Sequence, residues 1–323
     1  MKVAAVIPHW NRRDLLQTLL ANLAEQTRAF DEIILVDNGS EDDSAAVAER
    51  AGARVIRLER NLGFAPAVNH GIAAADAEWI AILNNDVTLD PDWLARLLTA
   101  AQDRDVWFAT GKTLMAADPS RIDGAFDAIS RGACAYRCGS GSRDGPFWNQ
   151  PRRIRMAPMT AALFRRSLFD QIGPLDETFE SFLEDVDFGI RCALQGRWGV
   201  YEPQAMVYHQ GSSTWGAWNK HAVRLIARNQ VLLTAKYFRG LSYGPIMAGQ
   251  LLWGLVALRH GCTMAYLQGK IAGMRAARKI PSAAVAHRNV EAFVRESDQT
   301  IREIQDHIGF DRYWEAYFWL SGR

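Results

Sequence analysis

The chain is expected to fold as an α/β protein around a mostly parallel sheet flanked by helices, with a helical extension at its C-terminal end. Three observations carry this expectation. Residues 1–86 alternate short apolar runs with segments whose apolar residues recur at helical spacing, the pattern of βαβ units. The apolar runs are continuous rather than alternating, as in strands buried on both faces. Each run ends in a polar cluster, and open sheets of this kind bind ligands at the carboxyl ends of their strands.

The elements follow in order. Residues 3–7 form the first apolar run, which Pro8 is expected to end, and residues 14–26 carry Leu15, Leu16, Leu19, Leu20 and Leu23 on one helical face. Strands are expected at 32–36, 54–58 and 79–83, and helices at 44–51 and 65–75. The polar ends of these units are Pro8-His9-Trp10-Asn11, Asp37-Asn38-Gly39-Ser40, Asn61-Leu62-Gly63-Phe64 and Asn84-Asn85-Asp86. From 110 to 149 Gly, Ser, Arg and Asp accumulate, which predicts a long loop or an edge hairpin over the site. A strand at 159–164, a helix at 166–172 and a turn at Gly173-Pro174 lead to an acidic motif. After Gly216 the character changes, so domains of 1–216 and 217–323 are expected. A helix at 225–238 is followed by an apolar stretch at 246–258 and a charged, helical end.

With 49% hydrophobic and 23% charged residues, the chain can bury a substantial core. The net charge of +1 implies no polyanionic partner, but its distribution is uneven: residues 203–290 hold eleven Lys and Arg and no Asp or Glu. Such a segment suits an anionic surface. Its cations interleave with Leu and Trp, which favours a membrane surface and argues against nucleic acid. The run 246–258 is shorter than the ~20 apolar residues of a spanning helix, so an interfacial or buried helix is expected. The four cysteines fit no zinc or redox spacing. The N-terminal apolar run is too short for a signal-peptide core, so a cytoplasmic protein is expected.

The motif Phe182-Leu183-Glu184-Asp185-Val186-Asp187-Phe188-Gly189-Ile190-Arg191 sets three carboxylates among aromatic and aliphatic residues. Acids against apolar walls can serve as bases; acids in a first helical turn can also simply favour the macrodipole. Asp37, at a strand end before a glycine turn, can accept hydrogen bonds from a base or ribose, or can make an Asx-turn. Asp86 at a strand end is a candidate ligand for a hard cation such as magnesium or manganese. His209 could add a nitrogen or be a hydrogen-bonded structural residue. No G-x-G-x-x-G follows the first strand and no P-loop sequence is present, which removes support for an oxidoreductase or a P-loop enzyme.

Taken in order, Ile7-Pro8-His9-Trp10-Asn11-Arg12, Asp37-Asn38-Gly39-Ser40, Asn61-Leu62-Gly63-Phe64 with Asn69 and Gly71, Leu83-Asn84-Asn85-Asp86-Val87, and Glu184-Asp185-Val186-Asp187 with Arg191 resemble the motif series of family 2 inverting glycosyltransferases. The likeness is strongest to the bacterial rhamnosyltransferase-like branch and covers residues 1–238. It implies a GT-A fold and a nucleotide-diphosphate sugar donor held by Pro8, Asn11, Asp37, Asn38, Asn61, Gly63, Asn69, Asn84, Asn85 and Asp86. It implies Mg2+ or Mn2+ on Asp86 and His209. The motif's first acid is Asn84 here, so Asp86 alone would be the carboxylate ligand. Asp185 matches the catalytic base, with Glu184 beside it, while Asp187 and Arg191 hold the helix.

The implied reaction is a single displacement onto a hydroxyl of a glycan or lipid-linked saccharide, in bacterial cell-surface polysaccharide assembly. The enzyme would then sit peripherally at the inner face of the cell membrane. The alternative is an inactive nucleotide-sugar-binding or scaffold protein on the same fold.

Overall fold

The computed structural model describes residues 1–211, 218–280 and 287–322. The expected boundary at 216/217 lies outside them. The chain divides into two compact units, one of residues 1–126 with 139–213 and one of residues 127–138 with 214–323.

The first unit opens with β1 (Val3–His9), α1 (Arg13–Ala24), β2 (Glu32–Asp37), α2 (Ser44–Arg50), β3 (Arg54–Arg57), α3 (Phe64–Ala74) and β4 (Trp79–Leu83). It continues through β5 (Val87–Leu89), α4 (Trp93–Ala100), β6 (Val106–Met115) and β7 (Asp118–Gly124). After β8 (Asp127–Ile129) and β9 (Ala135–Arg137), which belong to the second unit, come β10 (Arg152–Ile154), β11 (Ala161–Arg165), α5 (Arg166–Ile172), α6 (Glu184–Leu194) and β12 (Trp198–His209).

The sheet runs β10-β12-β6-β11-β4-β1-β2-β3, with β5 on β12 and β7 on β6. β4, β1, β2 and β3 pair in parallel, as the continuous apolar runs require. The other half is mixed: β11 is antiparallel to β4 and β6, whereas β12 is parallel to β6. Parallel pairing therefore governs the N-terminal half and not the whole sheet.

Both faces are covered. Val3, Ala5 and Ile7 share a buried cluster with Leu16, Leu19 and Leu23 of α1 and Leu94 and Leu97 of α4. On the opposite face α3 lies so close that a Cβ on Gly71 would stand 2.3 Å from Val6 Cγ1 and 3.2 Å from Val36 Cγ2. Any larger residue at 71 would lift α3 from the sheet.

Two expectations are corrected. Pro8 does not end the first strand: β1 runs to His9, whose carbonyl accepts from Asn38 N at 2.7 Å. The segment expected as a long loop or an edge hairpin from 110 to 149 does hold antiparallel hairpin pairings, β6 with β7 and β8 with β9, but it begins inside β6, a ten-residue strand between β12 and β11. Its polar middle is buried and partnered. Lys112 Nζ reaches Asp144 Oδ2 at 2.8 Å and Asn149 Oδ1 at 2.5 Å, so the Gly- and Ser-rich stretch supplies the acceptors that let a lysine sit inside a sheet.

The second unit holds the β8–β9 hairpin and the helices α7 (Lys220–Tyr237), α8 (Tyr243–Arg259), α9 (Thr263–Ala277), α10 (His287–Ile308) and α11 (Arg312–Leu320). The hairpin is bound to α10: Ser297 Oγ accepts from Ile129 N at 2.8 Å, and Asp298 accepts from Arg131 N at 3.1 Å and pairs with its guanidinium. Among the described residues no helix is long and apolar enough to cross a membrane.

Candidate active site at the strand ends

The polar clusters at the ends of β1, β2 and β4 meet. Asn11 and Arg12, directly after β1, both have positive φ (55° and 61°), a costly conformation for residues with a side chain. Asn11 N donates to Ser40 Oγ at 2.9 Å, and Asn11 Oδ1 accepts from Glu41 N at 3.0 Å. Asp37 is buried at the end of β2 and accepts from Ser40 N at 3.0 Å, holding the glycine turn that follows the strand. Pro8 lies half-buried opposite Val36.

Asn38 fastens the next loop. Its amide donates to Asn61 Oδ1 at 3.1 Å and Gly63 O at 2.9 Å, and its Oδ1 accepts from Leu62 N at 2.9 Å. Asn69 holds a more distant turn, donating to Leu175 O and Glu177 Oε1 and accepting from Leu175 N, each at 2.9 Å.

At the end of β4, Asn84 N donates to Thr160 O at 2.8 Å, and the Asn85 amide lies 2.8 Å from His9 Nδ1. Burial lowers the His9 pKa to about 4 against the pull of Asp42, Asp37 and Asp14, so this ring is neutral at physiological pH.

Asp86 follows, and β12 brings His209 to it. Asp86 Oδ1 is 3.2 Å from His209 Nε2, while His209 Nδ1 is 2.8 Å from Asp123 Oδ2 on β7. Backbone pairing fixes the approach, since Gln210 N donates to Asp86 O at 3.0 Å. Burial disfavours the charged ring, but hydrogen bonds to Asp123 and Asp86 outweigh it and raise the His209 pKa to about 9.

This donor set suits a divalent cation. Magnesium bonds of about 2.0–2.1 Å at right angles put neighbouring ligand atoms about 3 Å apart, close to the observed Asp86–His209 spacing of 3.2 Å. Asp123, on the far nitrogen, holds the ring so that Nε2 would face a cation that displaced its proton, a role carboxylates commonly play behind metal-binding histidines. Among the described residues no group of three or more His, Cys, Asp or Glu could hold a metal, so phosphate oxygens and water would complete the shell, as magnesium prefers.

The acidic motif begins α6. Glu180, Phe182 and Leu183 all have positive φ (61°, 69° and 66°), and this contorted segment delivers Glu184 and Asp185 to the first helical turn. It also caps α3: Glu180 O accepts from Ala65 N at 2.9 Å and Ser181 Oγ from Phe64 N at 3.0 Å. A Cβ on Gly63, at φ +100°, would stand 2.7 Å from Glu180 O, so only glycine permits this approach. Glu184 is buried. Asp185 is half-buried, and its Oδ1 accepts from Val186 N at 2.8 Å.

The sequence profile of glycosyl transferase family 2 matches residues 4–173. The chain belongs to glycosyl transferase family 2. It is 32% identical over 229 residues to the N-acetylglucosaminyl-diphospho-decaprenol L-rhamnosyltransferase of Mycobacterium tuberculosis, covering 62% of this chain and 73% of that one. It is 29% identical over 223 residues to O-antigen biosynthesis protein RfbC of Myxococcus xanthus, covering 66% of this chain and 18% of that one.

Two solved structures share the fold. A mannosyltransferase of Pyrobaculum calidifontis, in complex with GDP-Man and Mn2+, superposes with a TM-score of 0.55 at 16% identity, covering 98% of this chain and 85% of that one. GalNAc-T7 with UDP, GalNAc and Mn2+ gives 0.63 at 16% identity, covering 95% and 58%. The fold is thus the GT-A fold that the motif series implies, and the chain is a rhamnosyltransferase-like glycosyltransferase.

In this glycosyltransferase Asp187 and Arg191 lock α6. Asp187 is fully buried and accepts from Arg191 Nε at 3.0 Å; the same guanidinium donates to Ile172 O and Pro174 O, each at 2.8 Å. Phe188 stacks on Phe169 with centroids 4.9 Å apart. Removing one member of a fully buried pair costs about 3–5 kcal/mol; Arg191 is partly exposed and keeps its carbonyl partners, so the lower end of that range applies. Asp187→Ala is therefore expected to lower stability by about that amount, measured by urea unfolding; an unchanged midpoint would contradict the locking role.

Asp123 is the functional candidate that the sequence does not reveal. It stands in an edge strand of composition Asp-Pro-Ser-Arg-Ile-Asp-Gly, far from His209 in the chain. The only available signal is that a histidine offered to a metal wants a second acceptor.

Proposed function

We propose that the chain is an inverting, metal-assisted transferase that moves a sugar from a nucleotide-diphosphate sugar to a hydroxyl of a lipid-linked saccharide or glycan. The observation that carries this reading is the meeting of Asp86 and His209 at 3.2 Å, backed by Asp123, at the end of a parallel strand. The name of the Mycobacterium tuberculosis relative supports a lipid-linked acceptor, and that of the Myxococcus xanthus relative supports a place in cell-surface polysaccharide assembly. A lipid-linked acceptor would put the enzyme at the inner face of the cell membrane, in peripheral contact with its anionic surface.

In this reading Pro8, Asn11 and Asp37 border the nucleotide. Asn38, Asn61, Gly63, Asn69, Asn84 and Asn85 hold or line the loops around it. Asp86 and His209 would hold Mg2+ or Mn2+, which supplies positive charge against the diphosphate. Asp185 receives the proton of the acceptor hydroxyl as its oxygen bonds to the anomeric carbon, and the nucleoside diphosphate leaves from the opposite face with the bonding electrons. Glu184, beside it, reinforces the negative field that favours proton transfer.

A panel of nucleotide-diphosphate sugars tested by thermal shift with manganese, followed by assay of nucleoside diphosphate release, tests the function. The reading expects one donor to stabilise the protein and to be consumed. Binding without turnover on any acceptor would leave a nucleotide-sugar-binding protein instead.

Asp123 provides a separate check on the metal site. Loss of a partner behind a metal ligand typically costs about 10–100-fold in affinity, so Asp123→Ala is expected to weaken manganese binding by about that factor. Titration followed by electron paramagnetic resonance, with nucleoside diphosphate present, measures it; an unchanged affinity would remove Asp123 from the site.

A further inference from the structure

We infer that α8 and α9 form a docking surface for an anionic membrane leaflet. Both helices are built inside out. On α8, Tyr243, Met247, Leu251, Leu255 and Leu258 recur every three or four residues and are all exposed, Leu251 by 63%. On α9, Met264, Leu267, Ile271 and Met274 do the same, Met264 by 67%.

The faces turned inward carry mainly small residues. A Cβ on Gly269 would stand 2.3 Å from Arg224 O, and one on Gly273 2.6 Å from Arg228 O, so α9 lies against the backbone of α7. Gly249 of α8 meets Gly132 in the same way, with an added Cβ 3.1 Å from its Cα. Small residues inside and large apolar residues outside is the arrangement of helices that meet lipid. In water these exposed Leu and Met side chains forgo the gain of burial, and apolar surface concentrated in this way marks an interaction site.

Charge selects the occupant. α8 and α9 contain no acid, and their exposed cations stand at the helix ends: Arg259 closes α8, and Arg275, Arg278 and Lys279 close α9. The remaining cation, Lys270, is turned inward to Gln230 Oε1 at 2.8 Å, and burial lowers its pKa to about 8. α11, which packs on α8, ends in Trp319, 81% exposed, and Leu320; tryptophan is favoured at the membrane–water interface.

A second copy docked through the same two helices would offer these cations no acid from α8 or α9 to pair with, and unpaired like charges across an interface oppose association. An anionic leaflet takes the apolar stripes into its boundary and the cations onto its headgroups. Neither helix is long and apolar enough to cross, so the contact is with one leaflet. The docking rests on the lipid-linked acceptor of the proposed function for its purpose, but vesicle binding is read without sugar transfer and either can fail alone.

Flotation of the 323-residue chain with vesicles decides the matter. The chain should float with phosphatidylcholine vesicles containing phosphatidylglycerol at low salt, be released at high salt, and float poorly with phosphatidylcholine alone. The exposed substitutions Leu251→Glu and Leu255→Glu together should lower partitioning about a hundredfold. Arg275→Gln, Arg278→Gln and Lys279→Gln together should lower it at least about tenfold and remove the salt dependence. Unchanged thermal unfolding and donor binding would show that these variants are folded. Failure to float with anionic vesicles at low salt, equal flotation with neutral ones, or variants that float like the original chain would overturn the inference. So would a stable dimer, dissolved by Leu251→Glu and Leu255→Glu, that ignores vesicles; the second copy would then be the occupant.

Discussion

Asp185→Asn is expected to abolish sugar transfer while leaving donor affinity within a few fold. The substitution keeps the shape of the side chain and an oxygen that can accept from Val186 N at 2.8 Å, and it removes the negative charge and with it the ability to take a proton. General-base catalysis contributes about 10²–10⁴ in rate, so the loss should fall in that range, read as turnover of a saturating donor and acceptor. The locked geometry of α6 sharpens the alternative outcome. Asp187 is committed to Arg191, so near-normal turnover would move the base to Glu184.

The second large effect is metal dependence. A strong chelator should stop transfer, and added manganese should restore it. Asp86→Ala and His209→Ala should each raise the manganese concentration needed for half-maximal activity by at least about 10–100-fold, the scale already seen on losing mere supporting partners of a metal site. Full activity in chelator would overturn this. Protein cations would then have to neutralise the departing diphosphate instead of the metal.

The parallel half of the sheet was legible because burial on both faces leaves one kind of residue available. Val3 to Ile7 and Trp79 to Leu83 admit only apolar side chains, and the residues just beyond them are free to be polar and functional. The motif series then carried the family, which the profile match to residues 4–173 bears out. The mixed half hid itself. β6 contains Thr110, Gly111, Lys112 and Thr113, all buried, and for Gly111 and Lys112 the reason is one that only the fold supplies. A Cβ on Gly111 would stand 1.7 Å from Ala205 O, where β12 bulges between Glu202 and Met206, and Lys112 finds its acceptors in a segment more than thirty residues away. Periodicity reads neighbours along the chain, and these compensations are neighbours only in space. The same limit applies to α8. An apolar run of that length is equally compatible with a buried helix, and which side of it faces inward is decided by glycines on it and on the hairpin it meets.

The contorted run before α6 bears on how this protein can change. Glu180, Phe182 and Leu183 each sit where a side chain costs about 1–2 kcal/mol, although glycine would hold the same backbone shape without that cost. Part of that cost is a reserve of thermal endurance beside the acids, reduced by what the half-buried Phe182 and Leu183 side chains contribute. Drawing on it would loosen the chain at the point where Asp185 must be aimed, since glycine widens the choice of neighbouring shapes as much as it eases this one. Selection for a hardier enzyme would be expected to leave these positions alone and to find its gains elsewhere in the molecule.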